Sequence, residues 1–141
     1  MNNEYIKSPN QALVHLAFHC CLKDGELQTS ELDSISGTFV SKGLNKELDI
    51  KEEMAHYQSY HKSIKDETTY LRFLLDTIKP KNKLALFAFC AEIIYRDGNV
   101  AISEELLLNR IAGILYIRES DNQTIQNLIA ELNDVEKRNA F

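Results

Sequence analysis

Two aspartates are the residues of this chain best placed for chemistry, because neither suits the helix end at which it occurs. Asp24 and Asp97 each lie between a basic residue and a glycine, at the end of an apolar segment. The helix dipole disfavours a carboxylate at a C-terminus by about 0.3–1 kcal/mol. One interpretation is an Asx turn, in which the carboxylate accepts backbone N–H groups. The other is a cation site that draws on both carboxylates.

A glutamate follows each aspartate at the same spacing. The pattern Asp-Gly-x5-Glu joins Asp24 to Glu31 and Asp97 to Glu104. This spacing equals the second half of an EF-hand loop, but the first acidic ligands of such a loop would fall within apolar, helix-like sequence. The pattern therefore does not favour an EF-hand. Oxygen ligands favour calcium, magnesium or manganese over zinc, and no other cofactor is expected.

Histidine and cysteine occur together in the first apolar segment. His15 and His19 are four residues apart and share one helix face, a spacing known from zinc sites. No third ligand is identifiable, which favours a hydrogen-bonded or partly exposed pair. Cys20 and Cys21 support an alternative function, a thiol-based stress protein or enzyme, although a reactive thiol needs a lowered pKa and access to solvent. Because the sequence contains no recognisable catalytic motif, we predict that the protein is not an enzyme.

A charged segment in the middle of the chain offers a candidate interaction surface. Tyrosines among charges suit a protein interface, whereas the simpler interpretation is a solvated helix face. The residues of this candidate surface are Lys51, Glu52, Glu53, His56, Tyr57 and Tyr60.

The aspartates belong to an element that occurs twice. Residues 12–27 and 85–100 align without a gap, both as an apolar helix followed by a basic residue, Asp and Gly. The repeat predicts two related helical hairpins packed around a pseudo-twofold axis, with the two acidic loops converging on one cation site. After Val100 the register is ambiguous, and Glu31 matches either Glu104 or Glu105.

Helical periodicity covers nearly the whole chain and predicts an all-α fold, a compact bundle of about seven helices. Residues 84–95 lack a polar face, so this segment should be the most buried helix. We expect a single domain over residues 1–141 with an ordered core of about 8–134. The predicted helices span approximately residues 9–23, 29–43, 46–62, 66–79, 82–96, 103–117 and 121–134. The third, sixth and seventh have the predicted caps Asn45, Ser103 and Asp121, and the two apolar helices of the repeat have the predicted stop signals Gly25 and Gly98.

Length and charge limit the class of protein. A chain of 141 residues is one domain by length, and its net charge of −5 argues against nonspecific nucleic-acid binding. The sequence has neither a secretory signal nor an apolar stretch long enough to span a bilayer, which predicts a cytoplasmic protein. Three cysteines in apolar helical segments do not indicate a disulfide framework.

The two Asp-Gly elements, each an apolar helix ending in [KR]-D-G-x-[LV] before a glutamate-started helix, resemble the TerB-like tellurite-resistance family over roughly Pro9 to Ile117. The resemblance implies about seven helices, an association with stress and tellurite resistance, no settled catalysis, and an acidic metal site. Its ligands here would be Asp24, Glu31, Asp97 and Glu104. The chain departs from the family pattern at Asn99 and at Ala101-Ile102. We expect a non-catalytic binding or scaffold module with a protein partner.

Overall fold

The computed structural model describes residues 5–22, 29–96 and 100–138. These ranges contain seven α-helices and no strand, which confirms the all-α prediction. The helices are α1 Pro9–Leu22, α2 Thr29–Ser41, α3 Ile50–Tyr60, α4 Glu67–Ile78, α5 Lys83–Ile94, α6 Ile102–Ile114 and α7 Glu119–Arg138. Within the described ranges, no helix has the length and apolar character needed to cross a bilayer.

The chain divides into two compact units, Met1–Lys79 and Pro80–Phe141. In the first unit α1 is central and packs against α2, α3 and α4. Every residue from Val14 to Cys20 is buried, so α1 contacts protein on all sides. A helix that is apolar around most of its circumference can only be stable in such a position.

In the second unit α5 is the central helix and packs against α6 and α7. The prediction that residues 84–95 form the most buried helix is wrong, because Leu84 is 43% exposed and the first turn of α5 lies at the surface. The longest run of buried residues belongs to α1. The two apolar segments of the repeat are thus the central helices of their units, while the pseudo-twofold relation between hairpins stays a prediction.

The predicted helix over residues 46–62 is shorter in the structure. A 3-10 turn spans Leu44–Lys46, and α3 begins only at Ile50. Asp49, not Asn45 as the sequence suggested, caps α3 by accepting the backbone N–H of Glu52 at 3.2 Å. Gly43 has φ 73°, a left-handed conformation that suits glycine, and it separates α2 from the 3-10 turn.

The last two helices begin earlier than predicted. Ser103 does not cap α6, because the helix begins at Ile102 and Ala101 occupies the cap position. Since alanine has no side-chain acceptor, Glu104 stabilises this end by accepting the Ala101 N–H at 3.1 Å. The seventh helix begins at Glu119, two residues before the predicted cap Asp121, and extends four residues beyond the expected end of the ordered core at 134.

Candidate functional site

A cluster of polar side chains, all buried except the half-buried Glu67, lies in the core of the first unit. Its members come from α1, α3 and α4, and spacings of three or four residues place them on the inward face of each helix. We refer to this group as the histidine–tyrosine cluster. Its members are His15, His19, Glu53, Tyr57, Tyr60, Glu67 and Tyr70.

His15 is fully buried and uses both ring nitrogens. Its Nε2 lies 2.8 Å from Glu53 Oε1, and its Nδ1 lies 2.6 Å from the Tyr60 hydroxyl. A carboxylate only accepts hydrogen bonds, so the neutral ring donates from Nε2 to Glu53 and accepts the Tyr60 O–H at Nδ1. The Glu53 oxygen also accepts an amide N–H from Gln11 at 3.0 Å.

Tyr70 extends the same chain of hydrogen bonds. The hydroxyls of Tyr60 and Tyr70 are 2.6 Å apart. Because the Tyr60 O–H is donated to His15, the Tyr70 O–H must be the donor to the Tyr60 oxygen. The hydrogen bonds therefore run in one direction, from Tyr70 through Tyr60 and His15 to Glu53.

His19 forms a second arrangement of the same kind, one helical turn further along α1. Its Nε2 lies 2.9 Å from Glu67 Oε2, and its Nδ1 lies 2.8 Å from the Tyr57 hydroxyl. The ring also packs edge-on against Tyr70, with 5.2 Å between centroids. The two histidines thus fix the positions of α3 and α4 against α1 through both hydrogen bonds and ring contacts.

Burial controls the protonation of the cluster. Removal from water lowers the pKa of His15 below its ordinary value, although the hydrogen bond and charge of Glu53 act in the opposite direction. Burial also raises the pKa of the tyrosines 57, 60 and 70, so their hydroxyls stay protonated. His15 is therefore a neutral ring at neutral pH, hydrogen-bonded within the core to tyrosine and glutamate and withheld from solvent.

The prediction of an interaction surface on the third helix is wrong for both of its tyrosines and for Glu53. Tyr57 is 1% exposed, Tyr60 is 8% exposed and Glu53 is buried. These side chains turn inward because His15 and His19 would otherwise be buried without hydrogen-bond partners. The solvated-face interpretation fails for the same three residues. The signal in the sequence was the histidine pair itself. The prediction that both histidines are hydrogen-bonded is confirmed, and their partners come from α3 and α4.

Most of the residues predicted to bind a cation are not among those that the structure describes. Asp24 and Asp97 are not among the described residues, and neither is the side chain of Glu31. Glu104 is described, and its carboxylate accepts the N–H at the start of α6. No group of three or more His, Cys, Asp or Glu among the described residues could hold a metal ion. The convergence of the acidic loops stays a prediction.

The cysteines give no support to thiol chemistry. Cys20 is 1% exposed and Cys21 is half-buried, both on the central helix of the first unit. A reactive cysteine needs an accessible thiolate, and burial among apolar groups disfavours that charge. Cys20 instead contributes to the core as a small hydrophobic residue.

An open groove lies on the surface of the same unit, between α2 and the start of α3. Its volume is about 530 Å³, which is within the range of sites that bind small molecules or single peptide side chains. The lining combines aliphatic side chains with one lysine and one aspartate. The lining residues are Ser36, Val40, Asn45, Leu48, Asp49, Ile50, Lys51 and Met54.

The seven described helices define an all-α protein, and the histidine–tyrosine cluster belongs to the core of its first unit. A family model described as "Tellurite resistance protein TerB" matches residues 10–127. The match covers well over half of the chain, and the chain belongs to the TerB family. No curated protein and no solved structure matches the chain.

Proposed function

We propose that this chain is a non-catalytic binding module of the cytoplasm, with a role in tellurite resistance, for which its family is named, and in the response to stress. The supporting observation is the closed state of the histidine–tyrosine cluster. A general base must come within hydrogen-bonding distance of its substrate, yet His15 and His19 have both nitrogens bonded within the core. A domain built in this way acts through its surface.

The second part of the proposal is a divalent cation held by the acidic loops. Asp24 and Glu31 would supply oxygen ligands in one loop, and Asp97 and Glu104 in the other. The family resemblance of these loops supports the idea, and hard cations such as calcium, magnesium and manganese prefer carboxylate oxygens. Bound cation would order the loops and so modulate the surface that a partner meets.

Titration of the full chain with each of the three cations, followed by amide NMR and thermal melting, tests the cation site. We expect shifts confined to the loops and a raised melting temperature, because a ligand that binds only the folded state stabilises it. Asp24→Asn and Asp97→Asn should abolish the response. Asp76→Asn, on the exposed face of α4, is the matched control. If millimolar cation moves neither observable, the aspartates are turn formers.

Glu104 needs its own variant because it also caps α6. Glu104→Gln keeps a side-chain oxygen for the Ala101 N–H and removes only the charge. Weaker cation binding with unchanged melting of the cation-free chain would assign Glu104 as a ligand. The same loss on Glu105→Gln instead would select the alternative register of the repeat.

Affinity capture from cell lysate, in the presence of cation and of a chelator, tests the binding role itself. The module should retain the same protein in repeated captures, with a yield that falls in chelator. Retention of no protein under either condition would contradict the proposed function.

A further inference from the structure

The last helix buries two amide side chains and exposes two leucines, while Ile129 on the same helix is half-buried. Asn122 and Gln126 on α7 are buried, at 7% and 5% exposure, whereas Leu128 and Leu132 are 60% and 58% exposed. An amphipathic helix normally turns its apolar face toward the core. Leu128 and Leu132 are therefore accessible on the surface of α7.

Specific hydrogen bonds hold α7 in this orientation within the second unit. The Tyr95 hydroxyl donates to Gln126 Oε1 at 2.8 Å, and Asn133 Nδ2 donates to the backbone oxygen of Tyr95 at 2.6 Å. Asn122 Nδ2 donates to Asn109 Oδ1 at 3.1 Å. Rotating the helix to bury its leucines would break these bonds and leave the hydroxyl and the backbone oxygen of Tyr95 without their partners on α7.

The outward residues form a regular seam. Ile125, Leu128, Leu132 and Val135 follow spacings of three, four and three residues, as at the a and d positions of a coiled coil. Ile125 is half-buried, and Val135 is 37% exposed. We refer to these four residues as the α7 seam. A seam of this kind recognises another helix that supplies apolar side chains at matching spacings.

The acidic residues beside the α7 seam determine what kind of partner helix can bind there. The exposed residues Glu131 and Glu136 lie on either side of the seam, and α7 carries five acidic residues against Lys137 and Arg138. A second copy would bring like charges together, and an anionic membrane would be repelled. We propose that the α7 seam docks an amphipathic helix of a partner protein, with lysine or arginine flanking its apolar face. This inference rests on the proposed binding function and names the class of partner.

The test uses the full chain and a designed probe, a three-heptad peptide with leucine at the a and d positions and lysine at the flanking positions. A second peptide carries glutamate in place of lysine. Fluorescence anisotropy should show saturable binding of the lysine peptide that weakens with added salt, because part of the attraction is between exposed charges. The glutamate peptide should not bind.

Two pairs of variants locate the binding. Leu128→Ser with Leu132→Ser should weaken binding at least about tenfold, the effect of losing one buried leucine contact. Val40→Ser, at a side chain 59% exposed in the other unit, should leave binding unchanged. Glu131→Gln with Glu136→Gln should reduce the salt dependence. The same change at Glu52 and Glu92, both exposed, is the charge-matched control.

Three outcomes would overturn the inference. The first is that the lysine peptide does not bind the native chain, and the second is that it binds the leucine variant equally well. The third is that sedimentation velocity shows a dimer of the native chain that dissociates in the leucine variant, because the seam would then join two copies. A fourth outcome, capture of a lysate partner that does not depend on the seam, would leave the proposed function intact while removing this inference. Circular dichroism should show unchanged melting for the leucine variant, because the altered side chains are exposed.

Discussion

Each ring of the histidine–tyrosine cluster has a fixed direction of hydrogen bonding, which follows from the carboxylate at one end. Glu53 can only accept, so His15 donates to it, Tyr60 donates to His15, and Tyr70 donates to Tyr60. Removing one hydroxyl therefore has a consequence that depends on its place in the chain. Two tyrosines of similar burial should respond differently to the same chemical change.

Loss of the Tyr60 hydroxyl should destabilise the protein more than loss of the Tyr70 hydroxyl. Tyr60→Phe leaves His15 without a donor and Tyr70 without an acceptor, an expected cost of about 2–3 kcal/mol. Tyr70→Phe removes one donor and should cost about 1 kcal/mol. Urea unfolding of the two variants and the double variant measures this. The double variant should cost less than the sum, because both changes break the same bond. Equal single costs with full additivity would show that the hydroxyls are not coupled.

Acidification should destabilise the protein through His15. Burial lowers its pKa, so the folded state keeps the ring neutral while the unfolded chain takes up a proton near pH 6.5. The unfolded state then binds more protons, and the free energy of unfolding falls as the pH falls through that value. Urea unfolding between pH 7.5 and pH 5.5 should show this loss.

The variant His15→Gln isolates that contribution. It should be less stable at pH 7.5 because the cluster loses a partner, yet it should lose less stability on acidification. His61→Gln, at a half-buried ring whose pKa burial also lowers, should remove a smaller part of the pH dependence. An unchanged slope in His15→Gln would assign the acid sensitivity to other groups.

The sequence identified the two histidines of this cluster, placed three of its members on the surface and gave no sign of Glu67 or Tyr70. His15 and His19 stood out because their spacing puts two polar rings on one face of an apolar helix. Tyr57 and Tyr60 were assigned to the surface because their neighbours in sequence are charged. Which tyrosine meets which histidine depends on how α3 packs against α1, and local sequence does not carry that information.

The elements themselves were predicted well in number and less well at their ends. All seven helices appear, whereas the start of α3 moved from the region of Asn45 to Ile50, because Asp49 offers a carboxylate cap just before it. The predicted stop signals Gly25 and Gly98 lie outside the described residues. The orientation of α7 was not foreseen, since its apolar period gives no sign that its amides would be buried.

The residue that follows the C-terminal end of α6, Tyr116, has a left-handed backbone conformation that is unfavourable for tyrosine. Tyr116 has φ 58°, and the N–H groups of Tyr116 and Ile117 bond to the oxygens of Gly113 and Ala112. This pattern is a Schellman motif, in which glycine usually occupies the left-handed position. The helix therefore ends in a favourable pattern of hydrogen bonds at an unfavourable residue.

We expect Tyr116→Gly to be more stable than Tyr116→Ala by roughly 0.5–1 kcal/mol, because only glycine adopts positive φ without strain. The tyrosine is 85% exposed, and its ring contact with the Lys83 ammonium at 5.7 Å is lost equally in both variants. Thermal melting of the two proteins provides the comparison. A more stable alanine variant would mean that this segment leaves the left-handed conformation at little cost.

At the scale of the whole molecule, the internal repeat corresponds to the organisation of the cores. One apolar segment of the repeat supplies α1 at the centre of the first unit, and the other supplies α5 at the centre of the second. Polar groups are distributed differently, since α1 carries two buried histidines where α5 has Ala88 and Glu92. The shared feature of the repeat is thus the central apolar helix, and the histidine–tyrosine cluster belongs to the first unit alone.

The prediction of a single domain can be tested through cooperativity. Each unit is of a size at which an isolated core is only marginally stable, so we expect both to unfold in one transition. Leu71→Ala in the first core and Leu108→Ala in the second, both at fully buried side chains, should each cost about 2–5 kcal/mol. Unfolding in urea would be monitored by circular dichroism and by tyrosine fluorescence from the histidine–tyrosine cluster. Either variant should lower the midpoint of a single transition that both signals share. If each variant instead shifts only one of two separate transitions, the chain consists of two domains, and its binding surfaces belong to parts that fold independently.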